Sequence, residues 1–171
     1  MSYLFYIAST VAVLATLFAL TRRNAMHALL YLIVSLLSIA MVFLALGAHL
    51  AAALEVIIYA GAIMVFFIFV IMMLNIAEAP IPMEDDWLTL RAWVGPAALA
   101  AVLAGELAYV LLTAGQVPGH AAAASKKVGI ALYGPYMLGV ELASLLLLAG
   151  LVGAFHLGRR DDQGPPEGTG G

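Results

Sequence analysis

Apolar residues run in five long blocks, at about 2–20, 26–46, 51–74, 93–113 and 135–157, and polar residues collect between them. A hydrocarbon core of about 30 Å takes roughly 20 residues of helix, so each block is expected to be a membrane-spanning helix. The fold class expected is an all-α integral membrane protein with one five-helix domain over residues 1–158. The Gly- and Pro-rich end, 159–171, is expected to be a disordered cytoplasmic tail. The joints after the first two blocks are short, which makes spans one to three sequential antiparallel neighbours. Two longer stretches, 75–92 and 114–134, are expected as loops.

Composition supports the pattern. Of 171 residues, 65% are hydrophobic and 10% charged, and the mean hydropathy of +1.08 lies far outside the range of soluble globular domains. The net charge of -3 includes an acidic "EDD" at 84–86 and no basic stretch, which argues against nucleic acid as a partner. The chain has no cysteine, which excludes disulfides, thiolate-held iron–sulfur clusters and c-type haem attachment within it. Arg22 and Arg23 follow the first apolar block, the reverse of the order in a cleaved signal peptide, so that block reads as a retained span. With the N-terminus outside, Arg22, Arg23, Arg91, Arg159 and Arg160 lie in the cytoplasm and only Lys126 and Lys127 outside; the positive-inside rule therefore favours N-out, C-in. Trp87, Trp93, Tyr133 and Tyr136 lie near block ends, as interfacial aromatic belts do. No internal inverted repeat is visible, which counts against a self-contained secondary transporter.

Three carboxylates fall inside blocks. At 1.5 Å per residue, Glu106 lies within about 5 Å of its span centre, Glu141 about 8 Å and Glu55 about 11 Å away. An ionised carboxylate at such depth costs several kcal/mol, so each calls for a proton, a partner or a hydrated cavity. Glu55 also reads as a snorkelling side chain, and Glu141 as an acid tying down a neighbouring helix. His27, His49, His120 and His156 have no metal-binding spacing. His27 and His156 sit near one membrane face, but isolated interfacial histidines are common and a haem reading is disfavoured. There is no nucleotide loop or catalytic triad, and no catalytic residue is assigned.

The third block, "LEVIIYAGAIMVFFIFVIMMLN", is the most informative. On an α-helical wheel Glu55, Tyr59, Ala62, Phe66 and Phe69 form one stripe that begins polar and ends aromatic. Ala60, Gly61 and Ala62 put three small residues together. Two readings stand: close helix packing, or a locally deformable helix of the kind that opens into a π-bulge.

These residues carry a resemblance. "HALLYLIVSLLSIA", the third block and "LYGPYMLGVELASLLLLAGLVGAFHLGR" resemble the subunit J family of bacterial proton-pumping NADH:quinone oxidoreductase, respiratory complex I, which is related to chain six of the mitochondrial enzyme. The resemblance covers nearly all of residues 1–160. It implies a subunit in the bacterial inner membrane that binds no cofactor itself, with FMN, iron–sulfur clusters and the quinone site in other subunits. Implied partners are subunits A, H and K, the antiporter-like subunits and membrane lipid. It also implies a π-bulge at about 60–64 and a gate in which Met64, Phe66 or Phe67 forms a dry plug. Glu55, Tyr59 and Glu141 then serve a proton path. No family role carries over to Glu106, which is expected to be a protonated acid hydrogen-bonded within the bundle. Alternatives from other classes are a subunit of a related multi-subunit cation/proton antiporter and a purely structural assembly subunit.

Overall fold

The computed structural model describes residues 2–22, 24–74, 90–113 and 119–159. The expected tail from residue 160 on and the segments 75–89 and 114–118, with Trp87 and the acidic triplet, lie outside the described residues. Among those described, all regular structure is helical: α1 (Ser2–Thr21), α2 (Ala25–Ala45), α3 (His49–Leu54), a π-helix (Glu55–Ile63), α4 (Met64–Leu74), α5 (Leu90–Thr113), α6 (Gly119–Leu132) and α7 (Met137–Gly158). Five continuous helical stretches are long and apolar enough to cross a membrane, the third of them, His49–Met73, combining α3, the π-helix and α4. By contact the chain divides into two compact units, Met1–Ala122 and Ala123–Gly171.

In the first unit, α1 and α2 form a hairpin. The Asn24 carboxamide oxygen caps α2 by accepting from the backbone N–H groups of Met26 (2.9 Å) and His27 (3.4 Å). Small residues on α1, Ala8 and Ala15, are fully buried and let the two helices approach closely, as membrane helices do where bulk is absent. Thr16 and Ser35 hydroxyls bond across the pair at 2.7 Å. At the other end of α2 the chain turns at Gly47, φ +79°. Gly47 N–H donates to the Leu44 carbonyl and Ala48 N–H to the Phe43 carbonyl, the pair of hydrogen bonds that ends a helix at a left-handed glycine.

α5 packs on α1 and α2 through Pro96, Leu99, Leu103 and Glu106, spaced i, i+3, i+7, i+10 on one face. The apolar core lies here: Val11, Ala15, Val34 and Leu103, with Leu37, Met41 and Leu99 against them. Tyr31, almost fully buried, closes one end, receiving a 3.2 Å hydrogen bond from Arg22 and lying 5.4 Å from the Phe18 ring.

The second unit holds most of α6, then a tight turn and α7. The loop expected over 114–134 is thus corrected: 119–132 are helical. That stretch is alanine-rich, and alanine is the best helix former; an expectation built on 20-residue apolar runs overlooks a shorter, less apolar helix. Likewise the loop expected over 75–92 ends by Leu90, where α5 begins. The turn is stitched by Gly134 N–H and Tyr136 N–H to the Ala131 carbonyl. No residue of α7 is buried.

Candidate functional site

The third span changes its hydrogen-bond register twice. Glu55 N–H still donates to the Ala51 carbonyl, four residues back. From there the ladder widens, and it closes when Met64 N–H donates to the Tyr59 carbonyl, five residues back. Nine residues, Glu55–Ile63, lie in this π-form, whereas most π-segments are single turns, frequently at functional positions. The π-form takes in residues 60–63 of the stretch expected to bulge, but it begins five residues earlier, at Glu55, and ends before Met64. Small residues mark where a helix deforms cheaply, and α3, the π-helix and α4 all lean on α2.

Glu55, Tyr59, Ala60, Gly61 and Ala62 all belong to the π-helix. Glu55 is half-buried, and Tyr59 and Ala62 are exposed on the chain's outer side. Because the π-form changes the angular step, the α-helical stripe expected from Glu55 to Phe69 is not one continuous helical row. Around Gly61, the only atom that an added Cβ would meet within 4 Å is the Val56 carbonyl oxygen, at 3.2 Å. No other described helix packs there, so within this chain close packing does not account for the glycine.

Met64, by contrast, is 2% exposed and the largest fully buried side chain among the described residues. Phe66 and Phe67 follow it with rings 6.4 Å apart, edge on; they are 65% and 46% exposed and face away from the chain's own interior. Met64 and the phenylalanines consequently do not build one plug within this chain: Met64 turns inward, the two rings outward. Glu141 is exposed on α7, in the second unit, its carbonyl accepting from the Ser144 hydroxyl at 2.8 Å. Glu106 is buried, yet neither carboxylate oxygen has a hydrogen-bond partner among the described residues. The hydrogen bond expected for it inside the bundle is absent among the described residues.

Other polar contacts were not anticipated. The Thr16–Ser35 bond and the Arg22–Tyr31–Gly95 contact join α1, α2 and α5; the only sequence signal was a hydroxyl or glycine inside an apolar block. Among the described residues no three His, Asp or Glu side chains gather as metal ligands.

Known proteins are similar to this chain in sequence. Residues 15–157 match the family described as NADH-ubiquinone/plastoquinone oxidoreductase chain 6. The NADH-quinone oxidoreductase subunit J of Pseudomonas aeruginosa is 59% identical over 94% of this chain and 98% of its own length. The protein of the same name from Escherichia coli K12 is 52% identical over 96% of this chain and 90% of its own, and that of Buchnera aphidicola from Acyrthosiphon pisum is 49% identical over 92% and 94%. With five helices able to cross a membrane, no cysteine and matches of this extent, the chain belongs to the subunit J family of NADH-quinone oxidoreductase.

Proposed function

We propose that this chain is a membrane subunit of a proton-pumping NADH:quinone oxidoreductase of the bacterial inner membrane. It binds no redox group and couples electron transfer elsewhere in the complex to proton movement. Its five spans form one membrane domain, N-terminus outside, with residues 159–171 as a cytoplasmic tail. Subunits A, H and K and the antiporter-like subunits cover its apolar outer faces, and the FMN, iron–sulfur clusters and quinone belong to other subunits.

The observation that carries the mechanism is the nine-residue π-helix ending at a buried Met64. Return of such a segment to α-form removes one residue from a turn and re-phases everything beyond it by about 100°. Met64 then leaves its seat, while Phe66 and Phe67 sweep across the surface that faces neighbouring subunits. A small rotation of this kind opens or dries a water path, since apolar constrictions gate by dewetting. Glu55 and Tyr59 stand at one end of that path, and Glu141 supplies a carboxylate from α7. Quinone chemistry acts only by favouring one of the two helix forms.

Replacement of Gly61 by Leu tests this. The variant complex is expected to assemble and to oxidise NADH with an artificial acceptor, but to translocate fewer protons per electron. Full proton translocation in an assembled Gly61→Leu complex contradicts the gate.

A further inference from the structure

A half-open cavity of about 350 Å³ lies between α1 and α5, lined by Tyr3, Leu4, Ile7, Gly105, Glu106 and Tyr109. None of these residues belongs to the third span. Glu106 sits on the buried face of α5 with both carboxylate oxygens unpartnered among the described residues. Tyr3, Ile7 and Tyr109 are exposed and flank the mouth, at the end of the pair where α1 begins and α5 runs out. The other end is shut: one turn further in, Ile7 is followed by Val11 and Glu106 is preceded by Leu103, both members of the apolar core.

We infer that this cavity is a hydrated proton-exchange site, blind on its inner side and open to one membrane face only. Three features call for water. A carboxyl group left among apolar side chains without a partner costs free energy that only a proton, a donor or solvent relieves. The space far exceeds the roughly 10–15 Å³ that one water needs. The lining supplies three oxygen-bearing groups, the Glu106 carboxyl and the Tyr3 and Tyr109 phenols, and a buried water takes about three partners. Among the described residues the phenols are the only other ionisable groups in the lining, and none of the described lining residues is a cation. The exchange is a simple acid–base step: the Glu106 O–H bond breaks, the proton passes to a cavity water, and the carboxylate keeps the electron pair. The Val11–Leu103 seal stops it from running through the bundle. The site therefore loads and unloads protons from the face at which α1 begins, independently of the π-helix gate.

Thiol accessibility in the assembled complex in oriented vesicles tests this, because the chain has no cysteine of its own and open space surrounds Gly105. A polar, membrane-impermeant methanethiosulfonate reagent reacts with thiolate, which forms in water and is suppressed in apolar surroundings. Gly105→Cys and Glu106→Cys, read by mass on this subunit, are expected to be modified from one side only, and on the order of tenfold or more faster than Leu103→Cys or Val11→Cys. In parallel, an infrared carboxyl band that shifts in D2O and vanishes in Glu106→Gln is expected. No modification of Gly105→Cys or Glu106→Cys from either side would overturn the inference, as lipid or a partner helix then fills the space. Modification of Leu103→Cys from the opposite face would overturn the blind end. Neither result bears on the Gly61 experiment.

Discussion

α5 comes up against α2 at Gly95, where an added methyl group would collide with Tyr31. A Cβ at position 95 would run into the Tyr31 hydroxyl, with the ring Cζ at 3.1 Å and Cε1 at 3.6 Å. The ring has little room to shift: it is almost fully buried, Phe18 lies 5.4 Å from it, and the Arg22 guanidinium stands 5.2 Å from its centre while donating to the hydroxyl. Overpacking of a well-filled site costs about 1–3 kcal/mol, so Gly95→Ala is expected to loosen the seat of α5 by that amount. Tyr31→Phe alone loses the Arg22 hydrogen bond, about 1 kcal/mol. In the double variant the offending oxygen is gone and the nearest atom is Cζ, which a shift of a few tenths of an ångström accommodates. The two changes should therefore be non-additive, with a favourable coupling of about 1 kcal/mol or more. Retention of this subunit in the solubilised complex on native gels after heating, followed for the wild type, both single variants and the double, measures it. Wild-type retention in Gly95→Ala, or additive losses in the double variant, refutes the packing described for α2 and α5.

Two further outcomes follow from single positions. Gly47 has φ +79° with open space around it, so replacement costs only backbone strain: Gly47→Ala should lose about 1–2 kcal/mol and Gly47→Asn less, ranked by the same heating assay. Met64→Ala removes the buried anchor just beyond the π-helix; because lipid is as apolar as the core, mainly packing is lost, about 1–3 kcal/mol. Each 1.4 kcal/mol shifts the balance of the two helix forms about tenfold. Protons translocated per electron should fall in an assembled Met64→Ala complex, and an unchanged ratio contradicts the placement of Met64 in the gate.

The five spans were legible because 20-residue apolar runs have few other uses. The resemblance added the family and a deformable third helix around 60–64, but not that the π-form begins as early as Glu55. The π-form extends N-terminal to the small residues, through Glu55–Tyr59, which the local pattern in "YAGAIM" does not mark. Glu106 was visible as a deep carboxylate, and its spacing from Pro96, Leu99 and Leu103 was there to be read. In a helix apolar all round, however, no polar contrast marks which face is buried, so its cavity emerged only from the packing of α1. The same absence of contrast hid the inward turn of Met64 and the outward turn of Phe66 and Phe67.

In the proposed mechanism the third span interconverts between π- and α-form during turnover. Spin labels at exposed Met72 on α4 and exposed Met26 on α2 report it by pulsed dipolar spectroscopy in the intact complex. A rotation of about 100° moves a side-chain tip on a helix of 5–6 Å outer radius by about 8 Å. Two distance populations whose weights change between the resting complex and the complex turning over NADH and quinone are expected. One population, unchanged between those conditions, would contradict the account.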